Sequence, residues 1–161
     1  MPEATRRRFV QKCVNLIQKL NSVKEQGLPI VYCDETLFGK RTLVQKEWAG
    51  KNSNLSVSQT EACSFHRNVI ASMTEEGIFH IQIQQEACVA LDFSYYIHVL
   101  SQKMNGRPFA LFMDNASIHR EKELPEEYAK LKITTVFNVP YSPEFNPIEA
   151  VFSKVKRVFS H

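Results

Sequence analysis

The chain has 161 residues, 43% of them apolar and 11% aromatic, enough to bury the core of one globular domain and too apolar for a disordered segment. A formal net charge of +3 permits a nucleic-acid partner without demanding one, because binding depends on where Lys and Arg cluster. No run approaches the roughly 18 apolar residues of a membrane span and no signal peptide is recognisable, so a nuclear protein is expected if the source is eukaryotic and a cytoplasmic one otherwise.

Over about 5–24, Phe9, Val10, Cys13, Val14, Leu16, Ile17, Leu20 and Val23 recur at helical spacing, which predicts an amphipathic helix opening on Arg6, Arg7 and Arg8. The arginine triplet suits phosphates, and equally a solvated basic helix start. Residues 1–26 thus read as a lead-in to a domain filling 27–161. Gly27 breaks the pattern, and 28–33 is a nearly continuous apolar run, the mark of a strand buried on both faces, ending in Asp34-Glu35-Thr36. From 40 to about 58, Gly39, Gly50 and Asn/Ser clusters predict loops or short edge strands. Trp48 reads as a packing anchor, or as an exposed ring leaning on DNA beside Lys46 and Lys51. The four cysteines, Cys13, Cys33, Cys63 and Cys88, lack CxxC spacing and read as reduced, mostly buried thiols; Cys63 with His66 makes only half of a zinc site.

Residues 67–74 and 77–84 predict a hairpin turning at Glu75-Glu76-Gly77, with Ile78, His80 and Gln82 on one side and Phe79, Ile81 and Ile83 on the other. A helix follows over 91–104 with Leu91, Tyr95, Val99 and Leu100 on its buried face, widened by Tyr96 and Ile97 and stopped by Asn105-Gly106. The run 109–113 is a second buried strand that ends in an acid, Asp114. A charged helix over about 120–130 and a strand over 133–137 complete a mixed central β-sheet flanked by helices, an α/β domain.

The most structured stretch is Asn138 to Glu149, with Pro140 and Pro143 in a loop and then Asn146-Pro147, which reads as an N-cap followed by proline at the first helical position. The helix it starts carries Ile148, Val151, Phe152, Val155, Val158 and Phe159 toward the core and Lys154, Lys156 and Arg157 in its basic second half. Glu149 in its first turn is by itself an ordinary capping glutamate. Asp34 and Asp114 are each, taken singly, ordinary Asx-turn residues, His119 a polar residue at a helix start, and Asn115 a turn former. Together, two strand-end aspartates and a helix-start glutamate converge where open α/β sheets bind ligands, and three acids need a cation to join them. Oxygen-only donors suit Mg²⁺ or Mn²⁺ and phosphodiester chemistry.

The segments Tyr32-Cys33-Asp34-Glu35-Thr36, Met113-Asp114-Asn115-Ala116-Ser117-Ile118-His119 and Pro140-Tyr141-Ser142-Pro143-Glu144-Phe145-Asn146-Pro147-Ile148-Glu149 resemble the three motifs of the mariner-like DDE transposases and their bacterial insertion-sequence relatives. The 34 residues between Asp114 and Glu149 match the spacing of that superfamily, and the resemblance runs from about residue 28 to the end. It implies a ribonuclease H-like fold in which Asp34, Asp114 and Glu149 are catalytic and hold two Mg²⁺ or Mn²⁺ ions. The implied chemistry is cutting of a DNA strand by water and attack of the freed 3′-hydroxyl on target DNA. Transposon-end and target DNA are the implied partners, in a full-length protein expected to be a homodimer, with Lys154, Lys156, Arg157, Asn115 and His119 expected along the DNA. No helix-turn-helix module is recognisable ahead of Asp34 and only twelve residues follow Glu149, so an excised or trimmed catalytic domain is expected. The competing expectation is a domesticated DNA-binding or protein-interaction module that keeps the acids without catalysis; a ribonuclease acting on RNA–DNA hybrids would share fold and metals.

Overall fold

The computed structural model describes residues 3–39 and 66–159. Trp48 with Lys46 and Lys51, the loops or edge strands expected from 40 to about 58, and Cys63 of the half zinc site lie outside the described residues. The elements are α1 (Glu3–Glu25), β1 (Ile30–Gly39), β2 (His66–Thr74), β3 (Gly77–Gln84), α2 (Ala90–Lys103), β4 (Phe109–Met113), α3 (Leu124–Lys130), β5 (Ile133–Phe137) and α4 (Ile148–Phe159), with 3-10 turns at Ser117–Arg120 and Pro143–Phe145. None of the described helices is long and apolar enough to cross a membrane.

The sheet runs β3-β2-β1-β4-β5, with β2 antiparallel to both neighbours and β1, β4 and β5 parallel. β4 is buried throughout, Phe109 to Met113 having no polar face to show solvent. Side chains alternate across the sheet. Val31, Cys33, Ile70, Leu111 and Met113 therefore pack under α2 and α3, while Ala110, Phe112 and Val136 pack under Leu16 and Val23 of α1. On that second face α4 covers the other half of the sheet, its Ile148 and Phe152 buried on Val69 and Ala71. Both faces of the sheet are thus covered, as the apolar runs of its strands require.

The helices bury different faces from those their periodicity suggests. On α1 only Leu16 and Val23 are fully buried; Phe9, Val10, Val14 and Ile17 are exposed. α2 buries Phe93, Tyr96, Ile97, Leu100 and Ser101 and leaves Leu91 and Tyr95 outside. Its orientation is set by Tyr96, whose hydroxyl donates to Ser72 Oγ at 2.8 Å, and by Phe93 beneath it. The hairpin departs from strict alternation. A bulge between Ser72 and Met73 sets Phe79 into the α2-side core beside His80, which stacks on Tyr96 at 5.2 Å, and leaves Ile81 and Ile83 exposed at the sheet edge. The charged helix expected over 120–130 is two pieces, a 3-10 turn and α3, because Pro125 starts a new first turn. Asn105 and Gly106 end α2 with positive φ, and Gly106 N–H donates to Ser101 O at 2.9 Å. On α4, Val158 is exposed and the buried stripe stops at Phe152.

Candidate active site

β1 does not stop at its aspartate. It pairs with β4 only through Tyr32, opposite Phe112, and then continues along β2 to Gly39. Asp34 lies two residues beyond Tyr32 and Asp114 two beyond Phe112, so the parallel register brings the two acids level where β1 loses its β4 neighbour. Alternation sets Asp34 on the face of Tyr32 and Phe38, between the α1 cluster and the α4 cluster. The end of β4 beside the continuing β1, between those two clusters, is the notch of the domain.

Each acid sits in a local hydrogen-bond frame. Asp34 Oδ1 accepts the Glu35 N–H at 2.8 Å, and its Oδ2 accepts Asn146 Nδ2 at 3.3 Å. Asp114 Oδ1 accepts the Ala116 N–H at 2.8 Å, an Asx turn, so the ordinary turn role and a site role coexist in one residue. Glu149 is half-buried in the first turn of α4, its N–H donating to Asn146 O at 3.1 Å. Burial, then the charges of Glu149 and Asp114, raise the Asp34 carboxyl from its ordinary 3.8 to about 7, against the Glu35 N–H bond that lowers it. Asp114 is held below its ordinary value, first by the hydrogen bond from His119. Burial raises Glu35, with His119 opposing.

His119 is where the sequence expectation and the structure part. Its ring is buried, 3% exposed, tilted against Phe93 with centroids 4.2 Å apart, and its Nε2 lies 3.1 Å from Asp114 Oδ1 and 3.6 Å from Glu35 Oε1. A buried ring presents no surface to a DNA phosphate; it steadies carboxylates instead. The Tyr128 hydroxyl donates to His119 O at 3.1 Å and fixes its backbone. Asn115 is likewise committed, Nδ2 donating to Asn138 O and Oδ1 accepting from Arg120, so it locks the end of β4 to the loop after β5.

That loop is rigid for a reason the prolines only half explain. Buried Asn138 donates from Nδ2 to Ser142 O at 2.8 Å and accepts the Val139 N–H at 2.7 Å. Asn146, read from sequence as a side-chain N-cap, uses its backbone C=O for that and turns its amide to Cys33 O and Asp34 Oδ2, both at 3.3 Å. Of the basic trio, Lys154 and Arg157 are exposed, whereas Lys156 reaches back to β1, donating to Thr36 Oγ1 at 2.5 Å and lying 5.6 Å over the Phe38 ring. Sequence reasoning did not single out Glu35 or Asn146 as site residues. The signal was present only as polar residues flanking the acids.

Among the described residues no three His, Cys, Asp or Glu side chains form a ready-made metal cluster. The donors at the notch are nonetheless carboxylate oxygens, and the Asp34 carboxyl is raised to about 7 first by burial and then by the Glu149 and Asp114 charges, a repulsion that a divalent cation relieves. Mg²⁺ usually takes one or two carboxylates and keeps waters, so Asp34, Asp114 and Glu149 are a set that fits it.

The mixed five-stranded sheet with helices on both faces is a ribonuclease H-like fold. The sequence model of the DDE superfamily endonucleases matches residues 29–161, and the chain belongs to that family. No curated protein sequence matches it. Among solved structures it is similar to the Mos1 transposase catalytic domain with Raltegravir and Mn, at TM-score 0.72 and 14% identity, over 100% of this chain and 74% of that one. It is also similar to the Mos1 transposase paired-end complex with left transposon end, at TM-score 0.72 and 15% identity over 98% of this chain and 49% of that one. The Mos1 mariner paired-end complex with Mn gives TM-score 0.71 and 15% identity over 99% and 50%. The chain thus spans about half the length of the Mos1 chains in those complexes.

Proposed function

We propose that this domain is the catalytic core of a DNA transposase, cutting and joining DNA strands in a reaction that needs Mg²⁺ or Mn²⁺. The observation that carries this reading is the level placement of Asp34 and Asp114 at the open end of β4, with Glu149 close enough to help drive Asp34 up to about 7. When bound there, divalent cations supply the charge that makes water or a 3′-hydroxyl a nucleophile and steadies the leaving oxygen. Asp34, Asp114 and Glu149 would hold them, from β1, the turn after β4 and the first turn of α4. His119 donates to Asp114 and keeps it ionised, ready as a ligand, while Asn146 holds Asp34 at the start of α4. Lys154 and Arg157, exposed on α4 beyond Glu149, lie against the DNA backbone; Lys156 braces α4 on β1. The Mos1 structures with transposon-end DNA and with Mn support DNA and a divalent metal as partners. Nicking of supercoiled plasmid with Mn²⁺ tests the proposal: Glu149→Ala should abolish it with the fold intact. Equal nicking by wild type and Glu149→Ala would refute the assignment, and Mn²⁺-dependent stabilisation without nicking by the wild type would favour a binding module that keeps the acids.

A further inference from the structure

A second feature of the α1 face bears on how nucleic acid reaches the notch. Between α1 and the β5–α4 loop runs an open groove of about 470 Å³. Lys12, Asn15 and Lys19 form one wall, spaced so that they share one side of the helix around Leu16. Asn115 and Arg120 form the other. The groove starts beside Asp114, since Asn115 is the next residue. Its floor is apolar, from Leu16, Phe137, Val139 and Pro140.

The charge of these walls is one-sided. α1 holds six basic residues and two acidic ones, and one of those acids, Glu3, is taken by Arg7 at 2.6 Å at the far end of the helix. Lys12 and Lys19 are exposed, and neither has an ion-pair partner among the described residues. Arg120 makes two contacts at the groove, its guanidinium 4.6 Å over the Phe137 ring and bonded to Asn115. Two lysines on one wall, an arginine on the other and an apolar floor suit a chain of phosphates whose sugars rest on the floor. The loop that closes the groove continues into Tyr141, fully exposed in a left-handed backbone conformation at φ 59°. Asn138 and Ser142, buried on either side, hold the loop that carries it.

We infer that this groove is the seat of the DNA strand flanking the phosphodiester cut at the notch, with Lys12, Lys19 and Arg120 on successive phosphates. DNA then meets the domain on both sides of the acids, at α1 as well as at α4. This rests on the proposed DNA-cutting function. It goes beyond it by naming a binding surface on a helix that sequence reading treats as a lead-in.

The test is the salt dependence of duplex DNA binding by the whole chain, measured by fluorescence anisotropy, for wild type, Lys12→Ala/Lys19→Ala, and Lys103→Ala on the opposite side of the sheet. Each phosphate left without its lysine should flatten the slope of log K against log salt by about 0.9. The double variant should therefore lose about ten-fold less affinity than wild type between 50 and 200 mM salt, with an unchanged melting temperature because both side chains are exposed. Lys103→Ala should keep the wild-type slope. An unchanged slope in the double variant, while wild type binds and nicks DNA, overturns the groove and leaves the function standing. An equal loss from Lys103→Ala overturns the groove as a specific surface, and loss of self-association instead of DNA affinity would make it an interface between copies of the chain. Failure of wild type to bind DNA at all removes both readings.

Discussion

Asp34→Asn is expected to make the metal-free domain more stable at neutral pH, although it removes a residue at the centre of the site. Folded Asp34 keeps a proton up to about pH 7, where the unfolded chain has already lost one near 3.8. The folded state therefore binds more protons between these values, and stability falls as pH rises through that window. Below pH 4 both states are protonated and the penalty vanishes; above pH 7 it is complete. The gap corresponds to about 4 kcal/mol, and since Asp34 is only partly buried, solvent screening leaves an expected effect of about 2–4 kcal/mol. For a chain of this length that is on the order of 10 °C in Tm. Urea unfolding in EDTA at half-unit steps from pH 4 to 8 would read it directly. Wild type should lose that stability across the window, and Asp34→Asn should run nearly flat, keeping only the smaller slope due to Glu35, which burial also raises. Saturating Mn²⁺ at pH 7.5 should then stabilise wild type by about 3 kcal/mol at a hundred times the dissociation constant, and leave the variant little changed. Identical pH slopes in the two proteins would refute the raising of the Asp34 carboxyl by burial and by its acidic neighbours.

His119→Ala should destabilise the fold by about 2–3 kcal/mol, since it empties a buried site against Phe93 and takes the imidazole away from Glu35. In the same variant the Asp114 carboxyl should titrate at higher pH than in wild type, measured by carbon NMR, and no movement would count against the His119 hydrogen bond. Asn146→Ala should cost about 1 kcal/mol in urea unfolding by removing the amide that ties Cys33 O and Asp34 to the start of α4. Lys156→Ala should lower Tm by removing the ammonium that bonds Thr36 and lies over Phe38, while Lys154→Ala and Arg157→Ala should leave Tm unchanged and flatten the salt dependence of DNA binding. The reverse pattern would misplace the DNA face of α4.

What the sequence by itself determined is local. Apolar runs marked β1 and β4, because strands buried on both faces have no polar period to confuse them. Asn105-Gly106 and Asn146-Pro147 marked where α2 stops and α4 starts, because positive φ and a missing N–H are properties of single residues. The acids and their spacing were legible for the same reason. The tertiary structure decided everything that depends on a distant partner. β1 runs past Asp34 because β2 continues beside it after β4 has ended. Asn146 turns from cap to active-site brace because a strand 112 residues away presents Cys33 O and Asp34 to it. Lys156 turns back from the solvent side of α4 to Thr36, 120 residues away. His119 is drawn inward by Phe93 on α2 and two carboxylates on different strand ends, and α1 becomes a groove wall only because its second half lies on β4 and β5. Helical and strand periods report which residues share a face, and long-range packing alone decides what that face meets.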